Sequence, residues 1–233
     1  MKFASLFLAR SRSSDGIVKY LYTGQDASEI PKDITHLRVD PSVKTIPERA
    51  FYDCERLEEV ELSEGLVEIK DRAFRNCKSL KCMTVPSTVR LIDDSAFRDC
   101  VALVEVKLAN GLIQIGWGAF NGCKSLGSIA LPSSVKMIGP ECFRDCKQLM
   151  SVQLSEGLEK IGDEAFNGCI SLKCLRVPST AKVIGKGAFS DCQQLEEVEL
   201  CDGLVHLEAQ AFKNCKSLLR ITIPSARLGI QSR

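Results

Sequence analysis

The sequence predicts an α/β repeat solenoid, and three observations carry that expectation. Phenylalanine recurs every 23 residues, at Phe51, Phe74, Phe97, Phe120, Phe143, Phe166, Phe189 and Phe212. Cysteine keeps step three residues later, at Cys54, Cys77, Cys100, Cys123, Cys146, Cys169, Cys192 and Cys215. Each cysteine is followed by an L-x-x-V-x-L pattern, first seen as Leu57-Glu58-Glu59-Val60-Glu61-Leu62. A fixed period of this size describes coils that bury their apolar faces only against neighbouring coils. The repeat overrides the usual expectation of one or two compact domains for 233 residues.

Each element of the coil follows from its spacing. Val60-Glu61-Leu62 and the residue before them alternate in and out, as a strand with one buried face must. A turn comes next, then a short apolar pair such as Leu66 and Ile69. Ala73, Phe74 and Cys77 then fall at helical spacing, which predicts about two turns of helix. Asp71, Asp94 and Asp163 stand where a carboxylate would cap the start of that helix. Asn76, Gly122, Gly168 and Asn214 stand where a left-handed residue would end it. The turn after the strand alternates between two forms. One is glycine-based, as in Ser63-Glu64-Gly65 and Ser155-Glu156-Gly157; the other is proline-based, as in Pro86-Ser87-Thr88 and Pro178-Ser179-Thr180. The true period is therefore 46 residues, a pair of coils.

The chain divides accordingly. Residues 1–15 read as a flexible N-terminal tail. Residues 16–48 read as a cap that opens with the strand Ile17 to Tyr22 and includes an incomplete first coil (Ile34, Leu37, Val39, Val43, Ile46). Residues 49–226 form eight coils, and 227–233 a C-terminal tail. Arg227 stands where leucine or valine belongs, so the last coil is expected to be uncapped and open to self-association. The apolar run Phe3 to Ala9 is at the lower length limit for a secretory signal, and Arg10 and Arg12 follow at once without a small-x-small cleavage site. The favoured compartment is therefore intracellular, with a secreted or surface protein as the alternative.

Composition excludes several classes. With 31 basic against 30 acidic residues the formal charge is +1, without the basic excess that general nucleic-acid binding needs. No apolar run reaches the ~18 residues of a membrane span. The chain has twelve cysteines, eight of them at one repeat position. Their side chains should run parallel along the stack, where disulfides need opposed geometry. They are expected to be buried, reduced and free of metal, since no Cys-x-x-Cys pair accompanies them.

The unit I-x-x-x-A-F-x-x-C-x-x-L-x-x-V-x-L-P-x-x-V-x-x-I runs through Ile69, Ala73-Phe74, Cys77, Leu80, Met83, Val85-Pro86, Val89 and Ile92. It resembles the BspA-type, or treponemal-type, leucine-rich repeat, including members found in unicellular algae and other protists. The resemblance covers residues 34 to about 226. It implies a right-handed horseshoe with a concave parallel sheet and short convex helices, a protein- or surface-binding role, and neither catalysis nor a cofactor. The motif residues are core positions, so no catalytic residue and no metal site carries over.

The outward residues of the strands form two files on the concave side. One runs His36, Glu59, Cys82, Glu105, Ser128, Ser151, Cys174, Glu197, Arg220; the other runs Arg38, Glu61, Thr84, Lys107, Ala130, Gln153, Arg176, Glu199, Thr222. Acid gathers toward both ends. Glu59, Glu61, Glu105, Lys107, Arg176, Glu197 and Glu199 are the candidate partner-binding residues, against the plainer reading of a solvated face with cross-strand charge pairs. Lys78, Lys124, Lys147 and Lys216 form an interrupted convex stripe, most simply a solvated face. Trp117 is either a contact anchor or packed against the next coil. His36 and His206 lie seven coils apart, and Cys82 has acidic neighbours, which disfavours a thiolate nucleophile. The expected function is a non-enzymatic protein-interaction scaffold, with adhesion to matrix protein or glycan as the alternative.

Overall fold

The computed structural model describes residues 10–223 and 229–230. One strand from each coil builds the main parallel sheet: His36–Val39, Glu59–Glu61, Cys82–Val85, Glu105–Leu108, Ser128–Ala130, Ser151–Gln153, Cys174–Arg176, Glu197–Glu199 and Arg220–Thr222. Neighbours pair with a constant offset, so Glu59 faces Cys82, which faces Glu105. The hydrogen-bonded ladder is interrupted between Ser151–Gln153 and Cys174–Arg176, which lie side by side. A second sheet of nine two-residue strands, from Thr45–Ile46 to Gly229–Ile230, lines the other side. In the main-sheet strands from His36–Val39 to Glu197–Glu199 a buried residue sits between outward ones, as with Val60 between Glu59 and Glu61; in the last, Arg220–Thr222, Ile221 is exposed. A slip of one residue would expose the whole buried set, so burial fixes the register.

Between the sheets the eight phenylalanines form one continuous row. Successive ring centroids are 5.0 to 5.6 Å apart, and the planes are within 13° of parallel. This offset stacking is a favoured aromatic arrangement. Tyr22 closes the row edge-on, 5.4 Å from Phe51 at 80°.

The predicted convex helices are absent among the described residues; the segments from Asp71 to Cys77 and its equivalents are turns. The reason lies in the direction of the backbone N–H groups. In a helix each would reach back four residues. Here the N–H groups of Arg49, Phe51 and Asp53 donate to Asp71, Ala73 and Arg75 of the next coil, at 2.8–3.0 Å. Those of Ala50, Tyr52 and Cys54 close three-residue turns within the coil. Two left-handed residues per coil, such as Arg72 (φ 53) and Asn76 (φ 62), make the alternation possible. Asp94 and Asp163 cap a neighbouring coil instead of a helix: their carboxylates accept from the N–H of Trp117 (2.7 Å) and Lys186 (3.0 Å).

The N-terminal boundary also changes. Arg10–Arg12 is a strand paired antiparallel with Val18–Tyr22, so residues 10–15 belong to a hairpin and not to a flexible tail. This reversed strand blunts a sheet edge that would otherwise template pairing. Residues 1–9 and the pattern break at Arg227 lie outside the described residues. Gly229–Ile230 pairs in parallel with His206–Leu207, which carries the second sheet into the segment assigned to the C-terminal tail.

The two turn forms interlock. On one side of the glycine turn a hydroxyl from the next coil bridges the joint at Gly65 and Gly157: Thr180 Oγ1 accepts from Gly157 N–H at 2.9 Å and donates to the Leu158 carbonyl at 2.8 Å. Thr88 does the same for Gly65 and Leu66. On the other side the glycine Cα rests on a carbonyl of the proline turn before it. Gly157 has φ +114, and a Cβ there would overlap the Ser133 carbonyl oxygen. Gly157→Ala is therefore expected to cost about 1–3 kcal/mol. At Gly127, where a Cβ meets open space, the same change should stay within about 0.5 kcal/mol. Urea unfolding of the two variants checks this, and equal midpoints would refute the interlock.

Candidate functional site

The main sheet gathers the sequence-predicted residues onto one face but in two groups. Glu59 and Glu61 lie one strand away from Glu105 and Lys107, with Cys82–Val85 between them; Arg176, Glu197 and Glu199 share two adjacent strands. Ser128, Ala130, Ser151 and Gln153 separate them. Every acid in these groups has a basic neighbour. His36 Nε2 lies 3.5 Å from Glu59, Arg38 3.8 Å from Glu61, and Lys107 3.5 Å from Glu105. Arg176 lies 3.6 Å from Glu199, and Arg220 3.6 Å from Glu197. Arg38, Arg176 and Arg220 thus offset the charge of Glu61, Glu199 and Glu197 from neighbouring strands, and Lys107 offsets Glu105 from the same strand; exposed pairs of this kind contribute ~0–1 kcal/mol each.

Shallow depressions lie along this face. One of about 510 Å³ is bounded by Tyr20, Leu21, Arg38 and Glu61. One of about 520 Å³ surrounds Cys82, Glu105 and Lys107. One of about 470 Å³ lies between Gln153 and Arg176.

A third file borders the sheet that counting alternate strand positions overlooks. It is the residue after the leucine that opens L-x-x-V in each coil: Glu58, Lys81, Val104, Gly127, Met150, Lys173, Glu196 and Leu219, all exposed or half-buried. Lys81 pairs with Glu58 at 2.8 Å, while Val104, Met150 and Leu219 present apolar side chains to solvent. The signal in the sequence was the appearance of valine, methionine and leucine at a position that is charged at Glu58, Lys81, Lys173 and Glu196.

Other candidates resolve as follows. Lys78 pairs with Glu55 at 2.8 Å. Trp117 is exposed, with the guanidinium of Arg98 over its ring, 5.6 Å from the centroid. His36 lies on the main sheet and His206 on the second. Among the described residues no three His, Cys, Asp or Glu side chains converge as a metal site, and no helix is long and apolar enough to cross a membrane.

The cysteine row is held by a repeated contact. From Cys77 to Cys215 each thiol donates to the carbonyl of the phenylalanine one coil back, with sulfur 3.1 to 3.3 Å away. Cysteine suits the position as a small apolar group with a weak donor. Burial pushes the Cys54 and Cys215 thiols up to about 11. Cys82 and Cys174 are exposed, and Cys201 is half-buried. At about pH 8 a thiol reagent should therefore modify Cys82 and Cys174 first in the folded chain, because reactivity follows access and thiolate content. Denaturation without reductant should release all twelve thiols; a count near zero would show disulfides or bound metal.

Parallel strands at a constant offset, an apolar coil interior and an exposed, uncleft outer sheet define a leucine-rich repeat solenoid. The chain belongs to the BspA-type leucine-rich repeat family, whose model matches residues 29–149 and 114–233 in six copies. Among solved structures, the leucine-rich repeat protein of T. pallidum is similar at 25% identity and a TM-score of 0.55, covering 93% of this chain and 79% of that one. A leucine-rich repeat protein from Bacteroides ovatus is similar at 21% identity and a TM-score of 0.47, covering 94% of this chain and 80% of that one. No curated protein sequence matches the chain significantly.

Proposed function

We propose that the chain is a non-enzymatic scaffold that binds a protein partner on its main sheet. The observation that supports this is the display of side chains on that sheet. At coil after coil, outward residues are exposed on strands whose alternate residues are locked in the core. Such a surface is broad and anchored from beneath by the buried alternate residues. The family is a repeat-scaffold family, and solenoids bind through broad sheet faces. Glu59, Glu61, Glu197 and Glu199, together with Glu105, Lys107 and Arg176, supply charges that a partner would engage in exchange for their ladder neighbours.

The test is charge reversal. Changing Glu59, Glu61, Glu197 and Glu199 to lysine should shift stability by no more than about 1 kcal/mol per broken pair. Association with a partner captured by the native chain should slow at low salt, because rim charges act chiefly on encounter. Reversal of Lys78 and Lys216 is the comparison. Loss of binding in that variant alone, with the sheet variant unaffected, would place the partner elsewhere and overturn this reading.

A further inference from the structure

Glycine costs a folded chain backbone entropy, so an ordered glycine usually answers a backbone need. Gly127 answers none. Its φ lies outside the left-handed range, and a Cβ built on it meets no atom within 4 Å. Every other glycine from Gly16 to Gly203 has either a positive φ or a neighbour that a Cβ would strike. What Gly127 does is omit a side chain from an outer surface.

The omission falls between two exposed apolar residues. Gly127 N–H donates to the Val104 carbonyl at 3.2 Å, and the Gly127 carbonyl accepts from Met150 N–H at 2.9 Å. The three residues therefore stack on successive coils at the border of the main sheet. Val104 and Met150 are each 55% exposed. Coils about one strand spacing apart put their backbones about 10 Å from each other, with glycine as the floor between. That leaves an apolar slot the width of one side chain.

The slot has a cationic rim. Lys124 and Lys147 stand three residues before Gly127 and Met150 on the same coils, and Lys173 follows Met150 on the next. The lysine ion pairs among the described residues are those of Lys70, Lys78, Lys81, Lys107 and Lys136; the three rim lysines form none. Two carboxylates lie nearby: Glu105 on the sheet, beside Lys107 at 3.5 Å, and Glu196, which follows Lys173 on the next coil and borders only that end of the lysine group.

We propose that Val104, Gly127 and Met150 form a docking slot for an acidic protein segment. The segment inserts one leucine-sized apolar side chain against Gly127 and lays flanking carboxylates over Lys124, Lys147 and Lys173. The inference rests on the reading of the main sheet as a protein-binding face and localises that binding to its border. An apolar anchor in a fitted pocket with charges around it is the arrangement that concentrates binding energy.

Methyl-labelled protein tests it, with Met150 as the slot reporter, Ala130 as the sheet reporter and buried Met83 as the folding reference. The probe is a short peptide with a central leucine between glutamates; its comparisons carry glutamine in place of leucine, or lysines in place of glutamates. The Met150 methyl should shift saturably with the first peptide alone. Gly127→Leu, which fills the slot, and Met150→Gln, which removes one wall, should each weaken binding at least about tenfold while Met83 keeps its position. For Met150→Gln the readout is peptide fluorescence anisotropy. An unmoved Met150 methyl, or an equal shift with the glutamine peptide, overturns the slot. Shifts at Ala130 without Met150 overturn the slot and leave the main-sheet reading standing. Shifts confined to Ile113, which is exposed away from the main sheet, count against both.

Discussion

Phe120→Ala is expected to lower the stability of the array by about 3–5 kcal/mol. Phe120 is fully buried and stacked between Phe97 and Phe143, at 5.3 and 5.4 Å and within 10° of parallel. Truncation removes the apolar burial and two stacking contacts, and the neighbouring coils cannot close the gap, because their spacing is held by ladders on several sides. Phe212→Ala should cost less than half as much, since Phe212 is only half-buried and has one aromatic neighbour, at 5.6 Å. In a solenoid each coil supports only the next, so a break in the middle also weakens cooperativity. The central variant should unfold in urea with a lower midpoint and a shallower slope, the terminal one with a near-normal slope. Equal losses at the two positions would show that the row is not a chain of nearest-neighbour contacts.

Alkali should unfold the protein steeply. Burial raises the thiol of Cys54, Cys77, Cys123, Cys142, Cys146, Cys169, Cys192 and Cys215 above the ordinary value of 9.0. A thiol whose folded value is raised favours the folded chain fully below the ordinary value. That advantage is lost as pH climbs toward the folded value, because the unfolded chain has already released its proton. Above about pH 9 each such thiol removes up to about 1.4 kcal/mol of stability per pH unit. Tyr20 and Tyr22, also raised by burial, add to the loss at higher pH. Urea midpoints measured from about pH 8 to about pH 10.5 should fall with a slope of several protons. Cys146→Ala should start lower and fall less steeply, by close to one proton. A flat profile would mean that the sulfurs are not buried neutral thiols.

The repeat, the strand faces and the phenylalanine row were legible because a solenoid writes its packing into a single period. The convex turns were not. Ala73, Phe74 and Cys77 have the spacing of a helix, and only the destination of the intervening N–H groups, a coil away in sequence, decides against it. Arg72, Ser95 and Glu164 adopt left-handed backbone with φ 53, although nothing in their residue type announces it. The carboxylates of Glu61 and Glu199 were visible, yet their pairing depends on the arginine that stands one coil away. Gly127 could not be separated from turn glycines until its backbone angle and its empty surroundings were known.

The interlocked turns give every coil a parity. A glycine coil has one upper and one lower surface, a proline coil has the complementary two, and the other corner obeys the same rule. There Asn76 donates to Asp53 at 2.7 Å and Asn214 to Asp191 at 2.9 Å. Gly122 and Gly168 leave room above Asp99 and Asp145. Excising a single coil would bring like against like: Gly65 would lose its bridging hydroxyl, and Asp53 would sit beneath Asp99, carboxylate on carboxylate. Excising two coils would restore both joints. The array can therefore lengthen or shorten smoothly only by even numbers, so that its heritable unit of growth is the pair and its reach changes in steps of about 10 Å.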